Sequence, residues 1–224
     1  MTKITAILCF VLTAFLCSRV NGQRFSMGFN SGIVFSQLDG DGFTGYDKLG
    51  VRLGIRSQAY LSPSLDFIVE LNYEQKGSRF EAKDSENPGL KNQFVRLDYA
   101  EVPLLLRFYF KERRMLFGEA GLAVSYLVRN SFKDGNTGQT IMRYEDALPN
   151  FERSEFNAVL GGGIAISPRL GLILRTSIGL NRLYYNAEVV NQVAQLPPAQ
   201  RHDSHVPLVL LRNYLVSAGV YFLL

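Results

Sequence analysis

The sequence predicts an all-β protein: an eight-stranded antiparallel up-and-down transmembrane β-barrel with long extracellular loops and short periplasmic turns. Three observations predict it. Hydrophobicity alternates with period two in eight segments spread along the 224 residues. The connections between those segments alternate between long and short. An apolar N-terminal stretch of the kind that directs export precedes all of them.

That N-terminal stretch comes first. Lys3 is followed by ITAILCFVLTAFL, an apolar run too short to span a bilayer as a mature helix. CSRVNGQ comes next, with Val20 and Gly22 where a signal peptidase takes small side chains. Residues 1–22 therefore read as a signal peptide cleaved before Gln23, and 23–224 as one barrel domain. The order of charge, then apolar run, argues against a buried N-terminal helix. A lipoprotein is disfavoured because AFLC lacks the small residue expected just before Cys17.

Cys9 and Cys17 both fall in this segment, so the barrel domain has no thiol for disulfide or redox chemistry. Removing Lys3 and Arg19 with the signal lowers the formal charge from +4 to +2, which gives no basis for a nucleic-acid partner. No run of about 18 apolar residues follows, so a membrane-spanning helix is not expected. A secreted soluble protein or a membrane barrel is left.

The eight segments are 24–36, 50–60, 64–76, 95–110, 114–128, 154–167, 169–182 and 211–224. One further stretch, NAEVVNQVAQL (186–196), has apolar residues at helical spacing and reads as a decoration on a loop. Connections 37–49, 77–94, 129–153 and 183–210 are long, whereas LSPS, KERR and SPR are short. An even strand number then puts every long loop at one end and both termini at the other. The loops around Gly45, Glu86, Gly135 and Gln200 are expected outside the cell, and the turns at Pro63, Glu112 and Pro168 in the periplasm.

Sorting the strands by parity separates two faces. One carries Phe25, Met27, Phe29, Ile33 and Phe35, then Leu65, Phe67, Val69, Leu71 and Tyr73, and continues so through Leu104, Leu106, Leu122, Leu172 and Phe222. The other carries Arg52, Arg56, Asp66, Glu70, Glu74, Glu101, Arg107, Glu119, Arg175 and Arg212, five arginines for five carboxylates. It also holds small residues such as Gly28, Gly54, Gly121, Gly161 and Gly171. A soluble, lipocalin-like barrel would turn the charged face to water, but glycines there would cover nothing. In a narrow lumen they make room for arginine and glutamate. Aromatics cluster near strand ends on the apolar face, as in the interfacial girdles of membrane barrels, and mean hydropathy is close to zero. The apolar face is therefore expected to meet lipid. Backbone satisfaction in lipid further requires the first and last strands to pair.

Opposed residues of an antiparallel hairpin have a constant index sum. A turn centred on Pro63 opposes Arg52 to Glu74 and Arg56 to Glu70, and one centred on Arg113 opposes Arg107 to Glu119. These ten charged residues are read as an interior salt-bridge network, because a lone buried charge costs several kcal/mol. Pro103 lies inside a strand and has no N–H for the ladder, so a bulge or broken pairing is expected there.

The stretches GFNSGIVFSQLDGDGFTGYDKLG, ELNYEQKGS and LDYAEVPLLLRFYF resemble, respectively, the first strand and loop, the third strand and turn, and the Tyr-x-Glu-Ile/Val-Pro-Leu-Leu-Leu strand of the PorT-like outer-membrane β-barrel family of Bacteroidota. The resemblance runs from Gln23 to Leu224, and Gln23 itself matches the residue usual after the cleavage site. It implies residence in the cell outer membrane, contact with its lipid, delivery by the barrel-assembly machinery, and a link to type IX protein secretion. Such barrels commonly end on an aromatic, whereas Phe222 is here followed by two leucines.

DGDG offers Asp39 and Asp41 at a spacing seen in calcium loops, but the remaining ligands of that pattern are missing and a turn is the simpler reading. His202, Asp203, Ser204 and His205 are the only cluster suited to a metal or to lipid-modifying chemistry, and four adjacent loop residues rarely aim at one point. No metal, cofactor or catalytic residue is therefore expected. The functional expectation is a plugged barrel with a structural or interaction role through its loops or periplasmic rim. A small-solute channel is the first alternative and a rim-located lipid-modifying enzyme the second.

Overall fold

The computed structural model describes residues 25–40, 45–80, 92–110, 114–135, 137–140, 150–197 and 210–224. Its long strands are β1 (Phe25–Asp39), β2 (Lys48–Ser62), β3 (Leu65–Phe80), β4 (Gln93–Tyr109), β5 (Leu116–Asp134), β6 (Ser154–Ala165), β7 (Leu170–Gly179) and β9 (Leu210–Leu223). A two-residue β8 (Tyr184–Tyr185) and the helix α1 (Ala187–Ala194) sit between β7 and β9. The signal-peptide segment lies outside the described residues.

Each long strand pairs antiparallel with its neighbour, and β1 pairs with β9 to close the sheet. No edge is left, which is the condition for a sheet to cross a bilayer. Followed through the hydrogen-bonded register, Met27 leads to Ser57, Val69, Leu104, Leu122, Ala158, Ile178 and Tyr214. Tyr214 then opposes Gln37, ten residues along β1 from the start. That stagger tilts the strands and leaves an interior narrow enough for side chains to fill.

The outward positions are apolar and open. Leu104 is 46% exposed and Leu172 47%, with Ile33, Leu53, Leu71, Leu122, Leu160 and Val220 in the same state. A patch of this kind running around the whole wall far exceeds what a soluble surface carries. At about 3.3 Å per residue and a tilt near 40°, the apolar run of a strand rises roughly 25 Å, the height of a lipid-facing band.

β3, β4 and β5 run further toward the loop end than the alternation suggested, to Phe80, from Gln93 and to Asp134. Past the apolar band the outward positions turn to Arg79, Arg96 and Arg129, so the hydrophobic signal stops while the ladder continues. Inside this extension Leu38, Val95, Leu97, Tyr99, Leu127, Phe132, Leu183 and Leu211 pack into an apolar plug. Between β3 and β4 the paired register stops at Val69–Leu104 and resumes unshifted at Asn72–Glu101. The gap faces Pro103, which has no donor to give. The register shifts lie elsewhere, at Asp98/Tyr99 opposite β5 and at Tyr60/Ser62 beside the β2–β3 turn.

Candidate functional site: the charged lumen

Inward parity gathers the charged side chains into two levels. At the level nearer the turns, Arg56 Nη1 lies 3.0 Å from Glu70 Oε1, and Arg56 Nη2 lies 3.3 Å from Glu119 Oε1. Arg107 donates to Glu119 Oε1 from Nε at 2.8 Å. Arg175 spans both acids, with Nη1 2.7 Å from Glu70 Oε2 and Nη2 2.7 Å from Glu119 Oε2. Three guanidinium groups thus hold two carboxylates. All five residues are buried, with Arg107 at 0% exposure.

At the level nearer the loops the balance reverses. Arg52 Nε donates to Glu74 Oε1 at 2.7 Å, and its Nη2 lies 3.7 Å from Glu101 Oε1. Lys76 Nζ sits 3.1 Å from both Glu101 Oε2 and Glu155 Oε2 and 3.4 Å from Glu74 Oε2. Two cations face three carboxylates. Glu74 Oε2, Glu101 Oε1 and Glu155 Oε1 each remain outside any hydrogen bond among the described residues. Across the two levels, five cations meet five acids. Asn72 lies between them on β3, accepting from Asn30 at 2.9 Å and donating to Glu70 Oε2 at 3.0 Å.

Aromatic rings line the turn side of the network. The Arg107 guanidinium lies 3.6 Å from the Phe117 ring centroid and 4.6 Å from that of Tyr221, which Arg56 also approaches at 4.6 Å. Such stacking favours cations withdrawn from water. Glycines opposite provide the space. A Cβ on Gly161 would stand 2.6 Å from Arg175 Cγ, and one on Gly171 2.5 Å from the Tyr221 ring. Below, Asp66 accepts from Gln58 Nε2 at 2.7 Å and from Tyr109 at 2.9 Å, and it pairs with Arg114. Arg114 stacks 4.1 Å from the Tyr109 centroid and holds φ at 52°. A vestibule of about 1000 Å3, lined by Tyr60, Tyr109, Arg114 and Tyr221, opens from here to the turn end. Between the two levels a pocket of about 20 Å3, lined by Asn30, Arg52, Arg175 and Ser217 among others, has room for one water.

Of the ten residues that sequence reading placed in the lumen, Arg52, Arg56, Asp66, Glu70, Glu74, Glu101, Arg107, Glu119 and Arg175 are buried there. The ladder opposes Arg52 to Glu74, Arg56 to Glu70 and Arg107 to Glu119. Arg212 is a correction. β9 turns Leu211, Asn213, Leu215 and Ser217 inward without a break, so the even-numbered Arg212 shares the outer side with Tyr214 and Val216, opposite Asp39 of β1. Period-two alternation admits no other placement.

Sequence reading missed Lys76 and Glu155, although both continue an inward series, after Asn72 and Glu74 in β3 and before Asn157 in β6. Arg114 and Tyr221 were also missed; Tyr221 follows Ser217 and Gly219 at the same parity, and a turn residue such as Arg114 carries no parity signal. Among the described residues no group of three His, Cys, Asp or Glu is placed to hold a metal. Asp41 and the His202–His205 cluster lie outside the described residues.

A family model described as the outer membrane protein beta-barrel domain matches residues 18–185. Comparison with curated proteins gives no match. Among solved structures, neisserial surface protein A is similar at 13% identity, covering 90% of this chain and 99% of its own, with a TM-score of 0.45. The attachment invasion locus protein Ail of Yersinia pestis, solved with the heparin analogue sucrose octasulfate, is similar at 14% identity, with coverage of 89% and 99% and a TM-score of 0.41. OprG of Pseudomonas aeruginosa gives 9% identity, coverage of 89% and 94%, and a TM-score of 0.38.

Proposed function

This chain belongs to the outer membrane protein beta-barrel domain family, and from that premise we propose that it serves the cell outer membrane as a sealed barrel with a structural and interaction role, conducting no solute and catalysing no reaction. One observation carries this reading. Arg56, Glu70, Lys76, Glu101, Arg107 and Glu119 are each at most 1% exposed, so water finds no path through either charged level. A conducting pore needs a wetted lumen. Here the lumen side chains bind one another across the full width of the barrel, and their function is to fill it.

The work then falls to the loops and the rim. The long loops face the outside of the cell and the tight turns the periplasm, in keeping with the usual plan of such barrels. The PorT-like resemblance of YAEVPLLLRFYF and ELNYEQKGS supports a narrower role, as an accessory of type IX protein secretion in a member of the Bacteroidota. Assembly into the membrane proceeds through the barrel-assembly machinery that serves this class. With the signal peptide removed, the barrel has no native cysteine, which permits a direct test. Gln139→Cys, on the β5–β6 connection, and Asn191→Cys, on the helix α1, both exposed, are placed one at a time and crosslinked in intact cells. A discrete protein adduct at either site supports the interaction role. Labelling from outside without any adduct at either site contradicts it, and labelling only after the outer membrane is opened contradicts the orientation.

A further inference from the structure

The outer wall is not convex everywhere. Toward the turn end of β5 and β6, Gly118 and Gly162 oppose each other, at the parity of the exposed Leu116 and Leu160. The row across the strands reads Phe108, Gly118, Gly162, Leu174, so two adjacent strands lack a side chain between bulky neighbours. The result is a groove of about 630 Å3 in the lipid-facing band. It starts beside Phe110, just past β4, and passes over the two glycines to Thr176 and Val216.

Hydrocarbon lines it. Leu116, Leu160, Ile164 and Leu174 form its sides, each at 45–61% exposure. Thr176, the polar residue facing outward along it, donates its hydroxyl to Leu215 O at 3.1 Å. Arg175 borders the floor, but its guanidinium is turned into the lumen onto Glu70 and Glu119. A ligand lying here is held by close carbon contacts.

Size and surroundings identify the occupant. The medium around this band is lipid hydrocarbon. A methylene takes about the room of a water, roughly 30 Å3, so the groove suits one acyl chain of about 16–20 carbons and not two. A second copy of the barrel fits it poorly, because two closed, convex walls meet along a line and leave such a trench open. The Phe110 end lies where interfacial aromatics stand, so a lipid with its headgroup there lays a chain along the groove. We propose that this groove holds one acyl chain of a phospholipid in the leaflet on the turn side, recognised through the chain and not the headgroup. The proposal rests on the membrane placement of the barrel and not on the sealed lumen or any partner of the loops.

The test uses the full barrel folded in neutral detergent micelles and native mass spectrometry with three lipids: dipalmitoylphosphatidylcholine, dipalmitoylphosphatidylglycerol and dihexanoylphosphatidylcholine. One dipalmitoyl lipid per barrel is expected to stay bound, equally for both headgroups, where the dihexanoyl lipid is lost. Gly118→Leu fills the groove without straining the wall, since the nearest atoms to a Cβ there are on the Phe110 ring at 3.3 Å. Retention in that variant should fall about fivefold, the factor for roughly five to ten lost carbon contacts. Leu53→Phe, on β2 four strands away, should leave retention unchanged. If Gly118→Leu does not fold, Val216→Phe fills the groove from its other end, with the same loss expected. Retention that follows the headgroup, equal retention of the dihexanoyl lipid, or an equal effect of the groove and β2 variants overturns the proposal. So does a dimer of the unaltered barrel that Gly118→Leu disrupts, which would assign the groove to a second copy. The measurement is blind to orientation and to loop partners, so its failure leaves the interaction role untouched.

Discussion

Arg175 of β7 reaches across the lumen to Glu70 of β3, with Nη1 2.7 Å from Oε2 and Nη2 2.9 Å from Oε1. The two residues are 105 apart in the chain, and their strands stand four places apart in a closed eight-strand sheet. A bidentate charge-assisted pair on opposite walls is a strut, and its strength comes from excluded water. Burying those charges is itself costly, so the pair specifies how the lumen closes more than it adds net stability.

Breaking the strut should be expensive. Arg175→Met leaves Glu70 and Glu119 with fewer donors in a dry interior and is expected to cost about 3–5 kcal/mol. Urea unfolding of the barrel in micelles, followed by the mobility shift of folded protein on gels, measures it. The double change R175M/E70Q is expected to recover part of the loss, because the stranded acid is neutralised with its partner.

The two levels differ in sign, and that yields a contrast. Near the loops, three carboxylates face Arg52 and Lys76, so Glu155→Gln removes a surplus negative charge and should cost no more than about 1 kcal/mol. Near the turns, Glu119 is held by Arg56, Arg107 and Arg175, so Glu119→Gln strands Arg107 and leaves three cations to the single acid Glu70, and should cost about 3–5 kcal/mol. The same unfolding assay ranks them, and the reverse order would refute the charge count.

On the lipid face the cost should depend on depth. Leu104→Arg, in the middle of β4, is expected to destabilise by about 2–4 kcal/mol in bilayers, and Leu61→Arg, beside the β2–β3 turn, by about 0–1 kcal/mol. Both leucines are close to half exposed, so in a water-soluble barrel neither change would matter much. Refolding into vesicles gives both values.

Much of this was legible in the sequence because alternation is a local signal. Residues such as Leu71 and Glu70 declare opposite faces wherever apolar and charged residues alternate, and the hairpin centres at Pro63 and Arg113 turn faces into cross-strand partners. The same logic fails where alternation fades. Lys76 lies where both faces carry polar groups, so its inward aim had no contrast to reveal it, whereas Glu155 stands beside the outward Phe156 and was open to the same parity rule. Arg212 shows the opposite error: matching charges by number admitted a residue that strict parity excludes. Contacts across the lumen, such as Arg175 with Glu70, depend on closure and stagger, which no single hairpin encodes. β8 was invisible because two residues make no pattern.

Planar-bilayer recording of the full barrel bears most directly on the sealed lumen. With Arg56, Arg107 and Lys76 locked at 0–1% exposure, the expected trace shows no steady current steps in molar potassium chloride across the physiological voltage range. Glu119→Gln, which leaves Arg107 without its carboxylate, is expected to add only brief, irregular openings. Regular unitary steps from the unaltered barrel would contradict the plug and make the protein a solute channel.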